Sequence, residues 1–519
     1  MFVLSRGVSR LVVLAALVAL LTAAVGVSAQ DAVPFRVGMT TPTVLDPALH
    51  TNDPETLLNR AIYDYLVEVL PDATIGANLA DSWTISEDGL TYTFTLRQGV
   101  TFHDGSTFDS ADVVWTYNRL KEVGSPALNL MGSDFTVEAV DPATVVFTIP
   151  SVNADFLYGV GALQALILPE GQNTPNELGE GDAALANFNG TGPFRLVSFE
   201  PGARAVFAAN PDYWLEGAPG VVDMEHIYID DPVAQVDALL SGALDFIIKV
   251  SVDQVNRLEG ADGITVLEQA TSQHPVIRLR TDAGSLGENV AVRQAFKYAT
   301  DRLLINDLIT QGRGVVGNND PIAPVFAAFF DNTIENQLYD PAEACRLLEE
   351  AGIGRVSTTF YYPLDFGYEP LLAQTLQQTW AAGCIDVELQ EVPVGLYYDV
   401  SNPENYFDVQ LGITGWGARP SPQLLLQEAY IESGIATYYN ESRFADPELE
   451  ALVAEARATS DVEARKAIYS QVSQIFLERG PIIIPFFAPL VGAHSERVNG
   501  LVMAPFPGRT DFRSVTLGG

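Results

Sequence analysis

The sequence predicts a mixed α/β protein in which strands, helices and turns alternate without the rhythm of repeated βαβ units. Residues 91–96, TYTFTL, alternate between polar and apolar side chains, which is typical of a strand with one buried face. In residues 109–120, which follow shortly afterwards, Val113, Tyr117 and Leu120 recur at helical spacing. The change of period within one stretch indicates that strands and helices share one fold.

Two longer stretches have a helical pattern. Residues 460–480 place Ser460 and Glu463 at the spacing of a capping box, followed by a stripe of apolar side chains. Residues 289–312 form a second helical block that closes at Gly312. Because no short repeat and no low-complexity linker separates these parts, we expect mixed sheets and an interleaved order of domains.

The first 29 residues predict a secretory signal peptide. Arg6 and Arg10 precede an apolar run, 11–21, and small residues precede a cleavage site after Ala29. The run is short for a membrane span, although an uncleaved anchor is the alternative interpretation. No cysteine follows it, so we expect no lipid anchor and a mature protein in the periplasm or outside the cell.

The chain is strongly acidic, with 28 lysine and arginine side chains against 66 aspartates and glutamates and a formal net charge of −38. Such a surface repels nucleic acid and anionic lipid, so we expect no nucleic-acid partner. It still permits an anionic ligand to bind in a local cationic pocket. We expect a monomer.

Motifs for catalysis and metal binding are absent from the sequence. It has no nucleophile elbow, no phosphate-binding glycine loop and no His-Glu-x-x-His, and its histidines are far apart. His103 and Asp104 are adjacent in a turn, which favours a structural role. We therefore expect no catalytic residue, no cofactor and no metal, with an extracellular hydrolase of unknown mechanism as the alternative from a different class.

The two cysteines of the chain lie in or beside predicted helices. Cys345 is within PAEACRLLEEAG, and Cys384 follows LLAQTLQQTWAAG. In an oxidising compartment two packed helices of this kind allow a disulfide between them. Two separate buried thiols are the alternative.

The chain contains five long blocks of distinctive sequence, at residues 79–120, 190–214, 292–314, 339–353 and 446–487. Together they span nearly all of the mature chain. These blocks, in this order, resemble the family 5 extracytoplasmic solute-binding proteins, the peptide/nickel-type receptors of ABC importers.

The resemblance implies a two-lobe periplasmic binding protein, or Venus-flytrap, with hinge strands, mixed sheets and an inserted subdomain on lobe I. Lobe I is then expected at 31–75, 188–281 and 488–519, with the subdomain at 76–187. Lobe II is expected at 282–487. The chain crosses between lobes in two extended apolar segments, which are the hinge candidates: residues 275–281 and 481–493.

The function implied by the resemblance is ligand capture rather than catalysis. A ligand that contacts both lobes favours the closed state, and a membrane permease of an ABC transporter then receives the solute. The expected ligand is a peptide or another small polar solute, such as an opine-like acid, a sugar or a glycoside. A sensor for chemotaxis or signalling would use the same binding physics and is a further alternative.

The stretch TGWGARPSP, residues 414–422, resembles the Trp-x-x-Asp segment that lines the cleft in similar peptide receptors. There the aspartate pairs with the amino terminus of the peptide. Trp416, Gly417 and Ala418 match, but Arg419 occupies the position of the aspartate. A guanidinium repels an ammonium group and suits a carboxylate, a phosphate or a polyol oxygen instead. The amine-anchoring role therefore does not carry over.

Three interpretations of Arg419 remain open at this point. It binds an acidic group of the ligand, or it binds an internal acid such as Glu428 or Glu432, or it points to solvent. Trp416 is expected either to form an apolar wall for the ligand or to pack in the core.

Five further residues are ligand candidates from their position in the family pattern. Tyr361 and Tyr362 end a predicted strand, and Thr40 and Thr41 end the first strand. Lys249 is one of four lysines and is expected either at the cleft or as a rim charge.

Overall fold

The computed structural model of the chain describes residues 33–172, 185–365 and 367–518. The predicted signal peptide and its cleavage site after Ala29 lie outside these residues. From Phe35 onward the chain forms one compact unit, and that unit contains every element described below.

The strands of the described residues are numbered in chain order. They are β1 Phe35–Met39, β2 Val67–Val69, β3 Ile75–Ala77, β4 Ala80–Ile85, β5 Thr91–Leu96, β6 Thr136–Asp141, β7 Thr144–Thr148, β8 Phe194–Glu200, β9 Arg204–Ala209, β10 Asp223–Tyr228, β11 Phe246–Ile247, β12 Ile264–Ala270, β13 His274–Leu279, β14 Val315–Val316, β15 Val356–Tyr362, β16 Ile385–Glu391, β17 Leu411–Trp416, β18 Ile482–Ile483, β19 Phe486–Phe487, β20 Pro489–Ser495, β21 Val498–Asn499 and β22 Thr516–Leu517.

The helices of the same residues are numbered in the same way. They are α1 Asp53–Ile62, α2 Ser110–Val123, α3 Leu128–Met131, α4 Phe156–Val160, α5 Pro232–Leu240, α6 Val252–Leu258, α7 Val290–Tyr298, α8 Arg302–Thr310, α9 Pro341–Glu350, α10 Glu369–Ala382, α11 Val394–Tyr397, α12 Pro422–Ala429, α13 Ser433–Ala436, α14 Pro447–Ala458 and α15 Val462–Arg479.

A seven-stranded mixed sheet gathers strands from both ends of the chain, in the order β12-β20-β11-β1-β10-β9-β8. The first strand, β1, pairs in parallel with β10 and β11, whereas β20 pairs antiparallel with β11 and β12. The N-terminal and C-terminal segments therefore belong to one layer.

A four-stranded antiparallel sheet, β4-β5-β7-β6, forms within residues 80–148. The alternation predicted for residues 91–96 is confirmed, because Tyr92, Phe94 and Leu96 are buried while Thr95 is exposed. Helix α2 contributes Tyr117 to the same core, where its ring packs edge-on against Phe147. This hydrophobic cluster also includes Leu66 and Phe156, which lie outside the four-stranded sheet.

A five-stranded sheet, β16-β15-β17-β13-β18, forms within residues 274–483. Strand β15 is parallel to β16 and β17, and β13 is antiparallel to β17 and β18. All six residues of β13 are buried, including the polar side chains of His274 and Arg278.

Two connections link the seven-stranded and five-stranded sheets, one after β12 and one before β20. They lie side by side, since the Thr271 hydroxyl donates to the carbonyl of Ala488 at 2.7 Å and the Ala488 amide donates to the carbonyl of Gln273 at 2.7 Å. The extended character predicted for both apolar segments is confirmed.

The two helical stretches differ in detail from the sequence prediction. Residues 289–312 form two helices, because Asp301 caps a new helix by accepting from the Leu304 amide at 3.0 Å. Helix α15 is capped by Asp461, which accepts from the Ala464 amide at 2.8 Å, so the predicted capping box at Ser460 is wrong. A carboxylate one residue later satisfies the same free amides.

A disulfide joins Cys345 in α9 to Cys384, which lies just after α10, with a sequence separation of 39 residues. The alternative of two separate thiols is therefore not what the structure contains.

Within the part of the chain that the structure describes, no helix has both the length and the apolar character needed to cross a membrane.

Candidate functional site

A cavity of about 200 Å³ is enclosed by segments that are far apart in the sequence. Residues of 126–130 and 158–164, near the four-stranded sheet, line one part of it. Residues of 418–428, which follow β17 of the five-stranded sheet, line another. Thr51 and residues of 506–509 complete the wall. A site assembled from three parts of the fold changes shape whenever those parts move relative to one another.

The loop that contains Arg419 is held by its backbone. Strand β17 ends at Trp416, and α12 begins at Pro422 with Ser421 as its N-cap. The Arg419 amide donates to the hydroxyl of Ser272 at 3.0 Å, and the same hydroxyl lies 3.3 Å from the carbonyl oxygen of Arg419. The loop is therefore fixed to the connection between β12 and β13.

Arg419 lines the cavity, and its guanidinium lies 5.9 Å from the centroid of the Trp416 ring. Among the residues that the structure describes, this guanidinium forms no ion pair and no hydrogen bond. Neither Glu428 nor Glu432, the internal acids considered from the sequence, is close enough to pair with it. Most arginines of the described chain do pair with a carboxylate, as Arg465 does with Asp155.

Glu428 lines the same cavity but has a different partner. Its carboxylate accepts a hydrogen bond from the side-chain amide of Asn129 at 2.9 Å. Burial raises the pKa of the Glu428 carboxyl, and the charge of Arg419 and the bond from Asn129 oppose that rise. Asn129 also accepts from the side chain of Gln427 at 2.8 Å through its carbonyl.

Trp416 packs in the core rather than in the wall of the cavity. It is 7% exposed, and its ring lies 6.0 Å from that of Tyr439. Nearby, buried Arg278 lies 3.4 Å from Glu441, whose carboxylate also accepts from the Thr414 hydroxyl at 2.6 Å. The tryptophan therefore supports the loop. Of the four predicted ligand residues at positions 416–419, only Ala418 and Arg419 line the cavity.

The C-terminal part of the wall is also held by contacts within the protein. Ala418 packs with Phe506 and Val69 in a small apolar cluster. Arg509, the second cation of the wall, lies 3.4 Å from Glu68 and 4.2 Å from the centroid of the Tyr65 ring. Its charge is thus already compensated within the protein.

The other predicted ligand residues do not line this cavity. Thr41 is bonded to Asp230, which accepts from its amide at 2.8 Å, and Thr40 is exposed. Tyr361 and Tyr362 end β15, as predicted, but neither of them lines this cavity. Lys249 is exposed after β11 and does not line this cavity, and its role stays a prediction.

The turn at His103 has structural contacts. A ring nitrogen of His103 lies 3.0 Å from the carbonyl oxygen of Gly192, and burial lowers the pKa of this histidine to about 4. Asp104 accepts from the amide and hydroxyl of Ser106. This agrees with the structural role predicted from the sequence.

Sequence reasoning missed most of the wall. Thr51, the segments around Asn129 and Gln164, and the C-terminal stretch 506–509 were not candidates. One signal was present: PFPGR, residues 505–509, combines proline, glycine and arginine without an acid, as the loop around Arg419 does.

Comparison with known proteins identifies relatives of the whole chain. Heme-binding protein A of Haemophilus influenzae is 28% identical over 497 residues, which covers 89% of this chain and 88% of that protein. Di/tripeptide-binding protein 2 of Pseudomonas aeruginosa is 27% identical and covers 88% and 89%. The solved structure of HbpA2 from Haemophilus parasuis has a TM-score of 0.79 at 25% identity and covers 93% of this chain and 99% of that one.

The fold class predicted from the sequence is confirmed by these structures, which are two-lobe binding proteins of mixed α/β content. The sequence model described as "Bacterial extracellular solute-binding proteins, family 5 Middle" matches residues 74–435, which is more than half of the chain. The protein therefore belongs to the family 5 bacterial extracellular solute-binding proteins.

Proposed function

We propose that this protein is the extracytoplasmic substrate-binding component of an ABC importer, which captures a peptide or another small polar solute and delivers it to a membrane permease. The observation that supports this most directly is the cavity of about 200 Å³ between three parts of the fold. A solute that contacts all three parts favours their closed arrangement by its differential affinity. No bond is made or broken, so the protein acts without catalysis.

The size of the cavity favours a small ligand. An apolar cavity of about 150 Å³ accommodates benzene. A cavity of about 200 Å³ therefore suits a solute between an amino acid and a dipeptide in size. Haem and long oligopeptides are too large for it in this conformation. A small peptide remains the first expectation, because one of the relatives compared above is a di/tripeptide-binding protein. The other relative is a heme-binding protein, whose named ligand is too large for this cavity.

The lobes proposed for this movement follow the sheets. Lobe I, residues 31–75, 188–281 and 488–519, contains the seven-stranded sheet, and the subdomain at 76–187 contains the four-stranded one. Lobe II, residues 282–487, contains most of the five-stranded sheet. The hydrogen-bonded connections at Thr271–Gln273 and Ala488 are the proposed hinge, so we propose a first crossing at about residue 273 rather than at the boundary of 281 expected from the sequence, with β13 moving together with lobe II.

The proposal extends to the cell envelope. The signal peptide at 1–29 directs export, the mature protein works as a monomer in the periplasm or outside the cell, and its macromolecular partner is a permease rather than nucleic acid.

Calorimetry tests the proposed function with amino acids, di- and tripeptides, sugars and haem. We expect saturable binding of a small polar solute, which mass spectrometry then recovers unchanged after prolonged incubation. Recovery of a cleaved product would instead favour the extracellular hydrolase. Haem binding without binding of any small solute would contradict the size argument.

A further inference from the structure

The guanidinium of Arg419 is a cation in the cavity wall that forms no ion pair or hydrogen bond with the described residues, and Glu428 acts on it only through their electrostatic interaction. The backbone of Arg419 is tied to Ser272, so the residue stays at the wall. Its side chain is only partly exposed. Closing a cavity around an unpaired cation removes water from it at a cost, unless the ligand supplies an anion.

The two other charged groups of the wall, Arg509 and Glu428, already have partners within the protein. Arg509 is already compensated by Glu68 and by the carbonyl of Gly161. Glu428 is engaged by Asn129 across the cavity. Glu428 lies near enough to interact electrostatically with Arg419. A ligand with two negative charges is therefore disfavoured relative to a ligand with a single charge.

The remainder of the wall is mainly apolar or neutral. It includes Leu130, Leu163, Leu424 and Phe506, with Gln164 occupied by donation to the carbonyl of His50 at 2.7 Å. This surface suits a compact body of low charge next to the cation.

We infer that the solute carries a single carboxylate, which binds to Arg419, and that a free ammonium group on the solute is not required. A carboxylate accepts two parallel bonds from a guanidinium, which fixes orientation as well as charge. This inference rests on the proposed capture of a small solute in this cavity and names its chemical class.

Matched pairs of solutes test the inference in the full mature chain by thermal shift and calorimetry. The pairs are alanyl-alanine with alanyl-alaninamide, N-acetyl-alanyl-alanine with its amide, N-acetyl-leucine with its amide, and gluconate with glucose. We expect the acid of each pair to bind. The N-acetylated acids should bind as tightly as the acids that have a free amine. Each neutral or cationic counterpart should bind at least about tenfold more weakly.

Two variants assign the preference to one side chain. Arg419→Gln should weaken the binding of the acids by about tenfold or more, and the acids should then bind no more tightly than the amides. Arg204→Gln makes the same substitution at an exposed position in β9, outside the wall, and should leave both affinities unchanged. Melting curves of the free proteins verify that Arg419→Gln is folded.

The outcomes separate the two claims. If amides or glucose bind as tightly as the acids, or if Arg419→Gln keeps the preference for acids, the carboxylate inference is wrong while solute capture stands. If every solute in the panel fails to bind, the proposed capture of a small polar solute is contradicted, and the inference with it.

Discussion

The guanidinium of Arg465 donates a hydrogen bond to the carboxylate of Asp155 at 2.5 Å, although 310 residues separate the two in the sequence. The same carboxylate accepts from the hydroxyl of Ser421 at 2.6 Å. Asp155 belongs to the segment proposed as the subdomain, whereas Ser421 and Arg465 belong to the proposed lobe II. Both residues are almost completely buried, Asp155 at 1% and Arg465 at 4% exposure. The contact joins the two sides of the cavity directly beside the Arg419 loop.

Asp155→Asn should favour the open form. Removing one charge of a buried pair leaves the other uncompensated, and here Arg465 regains water if the cavity opens. We expect ligand affinity to fall by about tenfold or more, because closing the variant buries an unpaired cation. Calorimetry with the best solute found for the wild type measures this change.

Asp134→Asn is the matched control, since Asp134 is an exposed aspartate of the same segment. Its affinity should equal that of the wild type. Equal affinities for Asp155→Asn and the wild type would show that the contact does not favour the closed form.

Reduction of the Cys345–Cys384 disulfide should lower the stability of the protein. The bond closes a loop with a sequence separation of 39 residues. Loop-closure entropy predicts a loss of about 4 kcal/mol when such a bond is broken. Calorimetric melting with and without a phosphine reductant should show the lower melting temperature. The double variant Cys345→Ala and Cys384→Ala should be insensitive to the reductant, and an unshifted wild type would contradict the prediction.

Glu441→Gln should alter how stability depends on pH. Burial raises the pKa of Glu441 from 4.5 to about 7, although Arg278 and the Thr414 hydroxyl act in the opposite direction. The folded protein therefore holds one more proton than the unfolded chain between these values. This contribution to stability is complete below about pH 4.5 and is lost as the pH rises through about 7.

Glu441→Gln has no titratable group at this position, so its stability does not fall in this way as the pH rises. Relative to the wild type, its free energy of unfolding should rise by about 1–3 kcal/mol between pH 5 and pH 8. Urea denaturation at both values measures the difference, and buried groups that both proteins share cancel in it. Glu404→Gln, an exposed substitution, provides the reference. A difference that stays constant with pH would rule out protonation of Glu441 in the folded state.

The local hydrophobic periodicity of the sequence was sufficient to predict many of the strands and helices. The alternation at Tyr92 and Phe94, the apolar runs of β13 and β20, and the helices around the cysteines were all predicted. Helix ends were less accurate, as at Asp301 and Asp461, because several neighbouring residues can satisfy the same free amides. Sheet order depends on pairing between distant strands, which no local pattern encodes.

The site was only partly predictable for a related reason. Composition and the family pattern pointed to the loop at Arg419, but the opposite wall comes from Asn129, Gln164 and Phe506, which no motif connects to it. Trp416 was expected at the ligand or in the core, and only its burial in an apolar cluster that includes Val276 and Ile482 assigns it to the core. Whether Arg419 binds the ligand stays a prediction.

Small-angle X-ray scattering tests the central claim most directly, that two hinged lobes close on a solute. The measurement compares dialysed protein with protein saturated by the tightest solute from the matched panel. The account predicts a smaller radius of gyration in the saturated sample, with the closed profile matching the structure described above. Identical profiles for the two samples, at concentrations where calorimetry records full binding, would contradict it.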